Sequence, residues 1–256
     1  MPENTLLVTS ISPHNIENQQ LAIESWLRLG FSVSSLNAEP EIDALKPLFR
    51  DVEFVAAQRG TGAGSGRSPV SFNDAVGFLN SRGSPVCGLI KSDIHLRATP
   101  AALQFLMEEA KGSLVYASRT DVNSLDDPTG DICKSSFDVF LFDREILKTL
   151  PPTELCLGQS WWDLWLPYCL IRLPGSFPLK FVSFPFATHI MNARNREEGG
   201  DYDRYGMHFA RFLDLSTHDA LLSQPPGMLR KSLEAISLNV AMAIFFESRW
   251  LSCFPG

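Results

Sequence analysis

The first 57 residues alternate β-rich runs with segments of helical periodicity, and this alternation constrains the fold more than any other feature. The β-rich runs are residues 6–12, 31–36 and 52–57. The two segments between them carry apolar side chains at helical spacing, one stopping at Gly30 and the other covering residues 41–49. Strands and helices that alternate through short connections predict a largely parallel sheet with helices packed on both faces.

The alternation continues to about residue 190. Residues 86–90, VCGLI, are apolar on both faces of a strand and are therefore predicted to lie in the centre of the sheet. Further strands are predicted at 113–118, 138–142 and 179–184. We expect a single α/β domain over residues 1–190. The polar stretch 191–206 reads as a loop, and residues 191–256 as a helical extension packed on the same domain.

Composition and missing motifs exclude several functions. The net charge of −7 and a pI near 5.3 speak against a general nucleic-acid surface. The sequence contains no Walker A motif, no G-x-G-x-x-G after the first strand and no G-x-S-x-G. Its five cysteines form no C-x-x-C pair. The start has no secretory pattern, and the longest apolar run is too short to span a bilayer, so a cytoplasmic location is expected.

The segment KSDIH follows the central strand and is the first candidate for chemistry. Asp93 would lie at the carboxyl edge of the sheet, where α/β proteins bind ligands. A hard divalent cation prefers carboxylate oxygen, and His95 would face the same side as Asp93 if the strand continued. His189, which follows a late strand, is a third candidate metal ligand. The alternative is that Asp93 merely caps a turn.

The segment WWDLW is the second candidate. Trp161, Trp162 and Trp165 surround Asp163 at helical spacing. Aromatic side chains at this spacing are usually core, but a carboxyl group in apolar surroundings suits general acid or base work. Aromatic faces also stack on sugar rings. The glycine-rich loop 59–69 is the third candidate, either as a simple flexible loop or as a lid whose Arg59 or Arg67 reaches phosphates.

Taken in order, these segments resemble a bacterial and plant family of predicted nucleotide-sugar glycosyltransferases with the GT-A fold. The resemblance rests on LIKSDIHL, on FDVFLFDREILKTLP and on LGQSWWDLWLPY, and it covers about residues 5–190. It implies a GT-A-like single domain that transfers a sugar from a nucleotide-diphosphate donor to a hydroxyl of a glycan or other acceptor.

The resemblance also implies roles for individual residues. Asp163 matches the acidic residue that deprotonates the acceptor in inverting enzymes, and the three tryptophans would cradle the acceptor sugar. Ser92 and Asp93 stand at the position of the Asp-x-Asp motif that holds Mn²⁺ or Mg²⁺ on the donor diphosphate. Only one carboxylate is present there, and Lys91 replaces an expected Asn, so Lys91 itself would neutralise phosphate charge. The residues expected to line the nucleoside pocket are Thr9, Ser10 and Ile11.

Two other functions stay open at this stage. A catalytically inactive binding or assembly protein would keep the scaffold and lose the second acidic residue. A nucleotidyltransferase-like enzyme would share the sheet, but it would need a glycine-rich basic signature after the first strand, where this chain reads SISPHNIENQ.

Overall fold

The computed structural model describes residues 5–57, 69–127, 129–173, 175, 177–191 and 201–252. The helices of these residues are α1 (Ile16–Arg28), α2 (Glu39–Leu45), α3 (Phe72–Asn80), α4 (Pro100–Ala110), α5 (Trp162–Arg172), α6 (Asp201–Leu213), α7 (Leu215–Leu222) and α8 (Pro226–Glu247), with 3₁₀ turns at Lys46–Leu48 and Arg144–Lys148. The strands are β1 (Leu6–Thr9), β2 (Ser32–Asn37), β3 (Glu53–Ala56), β4 (Val70–Ser71), β5 (Val86–Ile90), β6 (Ile94–Leu96), β7 (Leu114–Ala117), β8 (Thr120–Val122), β9 (Asp131–Ile132), β10 (Val139–Asp143), β11 (Cys156–Leu157), β12 (Leu179–Val182), β13 (Ala187–Ile190) and β14 (Arg249–Leu251).

Eight strands form the central sheet, in the order β14-β12-β7-β10-β5-β1-β2-β3. Five of its seven neighbouring pairs are parallel, and β10 alone runs antiparallel to both of its neighbours. Strand β5 lies inside the sheet and all five of its residues are buried. The predicted α/β fold with a mainly parallel sheet and a central 86–90 strand is therefore confirmed.

Alternate residues of each strand enter different cores. On β1, Leu6 and Val8 join one buried cluster and Leu7 joins the other. The first cluster is covered by α3, α5, α6 and α8, and the second by α1 and α4. Helices thus cover both faces, as the period-two pattern of the strands requires.

The strand order reverses between β1 and β5. From β1 the chain moves outward through β2 to β3, and it then returns to pair β5 with the other side of β1. In open α/β sheets the connections diverge at such a point and leave a crevice at the carboxyl ends of the strands. Any ligand site of this fold is expected at the ends of β1 and β5.

Three regions differ from the sequence-based prediction. The polar stretch 191–206 was expected to be a loop, but α6 begins at Asp201 and buries Tyr205 and Phe209 against α5 and α8. The polar stretch 119–132, for which the sequence predicted no strand, supplies β8 and β9 of a second sheet, ordered β6-β13-β8-β9. The chain end adds β14 to the edge of the main sheet.

No helix of the described residues is long and apolar enough to cross a membrane.

A candidate active site at the carboxyl ends of the central strands

A cavity of about 580 Å³ lies at the crevice between β1 and β5. Its walls combine the residues that follow these strands with the start of α5, the end of β13 and the C-terminal helices. The sequence-predicted residues that line it are Thr9, Ser10, Lys91, Ser92, Asp93, Trp161, Trp162, Asp163 and His189. The structure therefore brings together residues that lie up to 180 positions apart in the sequence.

Three predicted site residues do not line this cavity, and a fourth is not described. Ile11 is fully buried, with its N–H donating to Ser35 Oγ at 2.9 Å and its carbonyl accepting from Asn37 Nδ2 at 2.8 Å. Trp165 and His95 are buried elsewhere. Arg67 lies outside the described residues.

The KSDIH segment does not continue as one strand. The chain turns at Ser92 and Asp93, and β6 then starts in the second sheet. The prediction that Asp93 and His95 face the same side applied to a continuous strand, and that condition is not met. His95 Nε2 instead lies 2.9 Å from Asn18 Oδ1, and burial lowers the pKa of His95 to about 4.

A fully buried carboxylate, Asp138, organises two cations at the cavity wall. Its Oδ1 lies 2.6 Å from Lys91 Nζ and 3.1 Å from Arg119 Nη1. Burial raises the pKa of Asp138, but the two cations more than offset this and hold the pKa below its ordinary value. Burial lowers the pKa of Lys91, but the charges of Asp138 and Asp163 outweigh this effect and raise the pKa above its ordinary value. Lys91 therefore remains charged. Lys91 and Arg119 are each 24% exposed and line the cavity.

Asp163 lies in the first turn of α5 and is nearly buried. Its Oδ2 accepts hydrogen bonds from Ser136 Oγ at 2.7 Å and from the Phe137 N–H at 3.3 Å, and it lies 3.4 Å from Lys91 Nζ. Ser136 Oγ also accepts from Lys91 Nζ at 2.8 Å. The carboxylate therefore has polar partners, as a buried charge requires.

His189 connects two carboxylates at the cavity edge. Its Nδ1 lies 2.8 Å from Asp121 Oδ1, and its Nε2 lies 3.4 Å from Asp93 Oδ2. Burial lowers the pKa of His189, but its contacts with Asp93 and Asp121 outweigh this and raise it above the ordinary value. Both ring nitrogens of His189 therefore already have a carboxylate partner.

The donor set does not fit a divalent cation well. Among the described residues, no three His, Cys, Asp or Glu side chains are grouped so as to hold a metal ion. Asp93, the carboxylate predicted to bind it, is already paired with His189. The metal set of Asp93, His95 and His189 stays a prediction.

The three tryptophans are each 1–2% exposed and pack against protein. Trp161 donates its Nε1 hydrogen to the Tyr202 carbonyl at 2.9 Å, and its ring packs on Tyr202 and Phe209. Trp162 packs on Phe72 and Phe140. Trp161 and Trp162 line the cavity and Trp165 does not. The role of the three tryptophans in acceptor binding stays a prediction.

Trp161 also carries backbone strain at the start of α5. Its φ of 81° lies in the left-handed region, which a bulky residue rarely adopts. The indole contacts with α6 hold this conformation, and it directs the chain into the turn of helix that carries Asp163.

Sequence reasoning missed Asp138 and Arg119. The sequence signal for Asp138 was present, because an acidic residue directly precedes the apolar run VFLF and would be buried at a strand end. A buried carboxylate needs cationic partners. Arg119 is the first residue of the polar stretch 119–132, so nothing local connected it with β5 or β10.

The comparisons with known proteins give fold-level likenesses only. No family model matches the chain, and no curated protein matches it in sequence. Similar solved structures include a mannosyltransferase from Pyrobaculum calidifontis with GDP-Man and Mn²⁺, at 12% identity over 96% of this chain and 74% of that chain, with a TM-score of 0.49. Another is S. aureus TarS 1–349 with UDP-GlcNAc, at 11% identity over 95% and 81%, with a TM-score of 0.49.

A further similar structure is a 4-diphosphocytidyl-2C-methyl-D-erythritol synthase from Anaerococcus prevotii. It is 11% identical over 70% of this chain and 87% of that chain, with a TM-score of 0.42. At such identities and TM-scores, these likenesses do not identify the substrate of this chain.

Proposed function

We propose that this protein is a glycosyltransferase that moves a sugar from a nucleotide-diphosphate donor to an acceptor hydroxyl. The observation that carries the proposal is the pairing of Asp163 with Lys91 in a polar cavity at the β1–β5 crevice. The crevice is where an open α/β sheet binds a nucleotide. The pair places a carboxylate base beside a cation that would stabilise a phosphate leaving group.

The donor would lie across the ends of β1 and β5. Thr9 and Ser10 would contact the nucleoside, with Ser92 and Asp93 beside the ribose. The Thr9 hydroxyl supports this placement, because its buried oxygen has no hydrogen-bond partner among the described residues. A buried polar group without a partner is costly, and a ligand would satisfy it.

The diphosphate would lie against Lys91 and Arg119. Asp138 pairs with both cations and holds their side chains in place. Lys91 and Arg119 would therefore move little when negative charge develops on the leaving group. Such preorganised charge would supply the anion stabilisation that a chain of net charge −7 does not supply through its overall field.

The transfer requires only the donor, the acceptor and Asp163. An acceptor oxygen would form a bond to the anomeric carbon of the sugar as the bond from that carbon to the phosphate oxygen breaks. The acceptor proton would pass to Asp163, and the nucleoside diphosphate would leave with the electron pair. This step inverts the anomeric centre.

A second candidate function, a binding protein without catalysis, is favoured by the surroundings of Asp163. Oδ2 has three donors around it, which is also what an anchoring carboxylate would show. In that case the cavity would bind a nucleotide sugar without transferring it. Turnover separates the two functions.

The test uses the whole chain with UDP-, GDP- and dTDP-sugars. We expect at least one donor to raise the melting temperature, because a ligand of the native state stabilises it. The same donor should be cleaved, measured as released nucleoside diphosphate, with and without Mn²⁺. Binding without cleavage, with every acceptor offered, would support the inactive binding protein. A panel in which no donor binds would overturn both functions.

A further inference from the structure

The C-terminal helices contribute a wall of the cavity that the family resemblance does not cover. Tyr202 at the start of α6 and Ser237 on α8 both line the cavity. Both lie beyond residue 190, where the sequence resemblance ends. This wall therefore belongs to the chain's own extension, and its ligand has to be inferred from the side chains themselves.

The ring of Tyr202 is fixed between two neighbours. Trp161 packs on it with centroids 5.2 Å apart, and the Arg230 guanidinium lies 4.3 Å from the ring centroid. Arg230 itself is held by Asp203 at 2.7 Å. The ring is thus occupied by protein contacts, and the hydroxyl is the part of Tyr202 suited to ligand recognition.

The hydroxyls of Tyr202 and Ser237 form a loose pair. Tyr202 Oη lies 3.5 Å from Ser237 Oγ, at the outer limit of a hydrogen bond. Burial raises the pKa of Tyr202, so its phenol stays protonated and keeps its donor. Ser237 Oγ donates its hydrogen to the Glu234 carbonyl at 2.9 Å, so it offers a ligand only its acceptor lone pairs. The Tyr202 phenol supplies the donor, and together the two oxygens suit a neutral ligand hydroxyl, which can accept from Tyr202 and donate to Ser237.

We propose that Tyr202 and Ser237 form a recognition site for a hydroxyl of a neutral glycoside, the acceptor of the reaction. That the bound glycoside is the acceptor rests on the proposed function. Binding of the glycoside hydroxyl by Tyr202 and Ser237 does not require a bound nucleotide-sugar donor. Gln159 and Ser160 also line the cavity and extend the hydrogen-bonding surface. Asp201, which lines it too, lies 4.0 Å from Arg204. The site lies beside Trp161, one residue from the turn of helix that holds Asp163.

The test measures binding of methyl glycosides of glucose, galactose, mannose and N-acetylglucosamine to the whole protein without donor. Saturation-transfer NMR titrations give Kd for wild type, Tyr202→Phe and Ser237→Ala. Tyr168→Phe is the matched control, because that tyrosine is also half-buried and packs on aromatic rings but lies outside the cavity. Melting curves confirm that each variant is folded.

We expect at least one glycoside to bind, and Tyr202→Phe and Ser237→Ala to raise its Kd about 2–10-fold, the usual effect of one lost hydrogen bond. Tyr168→Phe should leave Kd unchanged, and no variant should alter nucleoside diphosphate affinity. A panel that does not bind, or a Tyr202→Phe protein that binds like wild type, overturns the inference. Glycoside binding without any donor binding would overturn the proposed function and leave this site standing.

Discussion

The charged and the aromatic parts of the cavity wall lie next to each other and are built in opposite ways. The cluster of Asp138, Lys91, Arg119 and Asp163 buries charge and satisfies it with ion pairs that reach the cavity. The tryptophans that flank Asp163 bury apolar rings and turn their faces into the core. One short segment of sequence therefore holds a candidate catalytic group and the packing that fixes it.

Residues next to each other in the sequence have different roles in this cavity wall. Trp162 is adjacent to Asp163, yet it packs on Phe72 and Phe140, whereas Lys91 lies 72 positions away and contacts the carboxylate. If this division holds, substitutions of the charged residues that line the cavity should change binding or activity, and substitutions in the aromatic part should change stability.

The largest effect is expected in the charged part. Asp163→Asn keeps the shape of the side chain but removes the base, so transfer at saturating donor should fall by roughly 10²–10⁴-fold, as is usual for loss of a general base. Donor affinity and the melting curve should change little. Near wild-type transfer by the folded variant would make Asp163 an anchor of α5.

Trp165→Ala tests the aromatic part. The side chain is 1% exposed and packs on Phe72 and Phe212, so its truncation should cost about 3–5 kcal/mol of unfolding free energy. Urea denaturation measures this loss. Donor affinity of the folded fraction should stay at the wild-type value, and a selective loss of ligand binding without destabilisation would contradict the division.

Asp138→Asn tests whether the charged part is also structural. The variant keeps an acceptor for Lys91 and Arg119 but loses the charge, so we expect a loss of about 3 kcal/mol, the lower end of the range for a broken buried pair. Glu145→Gln, whose pair with Lys148 is exposed, is the control and should cost less than about 1 kcal/mol. Equal losses of unfolding free energy in the two variants would show that the buried pairs of Asp138 stabilise the fold no more than an exposed pair does.

The smallest effect concerns His189. Because its pKa is raised in the folded protein, its charged contacts with Asp93 and Asp121 stabilise the fold fully below the pKa of the unfolded chain, and this contribution disappears as pH rises through the folded pKa. The stability difference between wild type and His189→Gln should reach about 1 kcal/mol at acidic pH and shrink at alkaline pH. His218→Gln is the control, because the partner of His218, Asp219, is exposed. A difference that grows with pH would contradict the assignment.

The sequence predicted the regular part of the fold and missed what depended on contacts between distant segments. The apolar runs of β1 and β5 identified a central parallel sheet, because burial on both faces leaves a local signature. Strand β14 has no such signature, since Trp250 is exposed and only its pairing with β12 makes it a strand. Helix α6 was missed because its acidic first turn masked the aromatic period of Tyr205 and Phe209.

The same limit applied to the site. Asp93 and Asp163 were identified as candidates because each lies in a short sequence pattern, KSDIH after a buried strand and WWDLW among aromatic residues. The ion pair between Asp138 and Arg119 joins the residue before β10 to the residue before β8, and no local sequence pattern indicates that pairing. The rings of the three tryptophans pack on neighbouring aromatic side chains, and their predicted contact with an acceptor stays a prediction.

The most direct test of the account is the affinity of the cavity for a nucleoside diphosphate. Isothermal titration of UDP, GDP and dTDP is compared for wild type, Lys91→Met and Lys111→Met, the last being a control at an exposed lysine. We expect at least one nucleoside diphosphate to bind wild type and the Lys111 variant equally, and to bind the folded Lys91 variant roughly tenfold more weakly, about 1.4 kcal/mol. Unchanged affinity in Lys91→Met, or no binding by wild type, would contradict the central claim that this cavity holds a nucleotide-sugar donor.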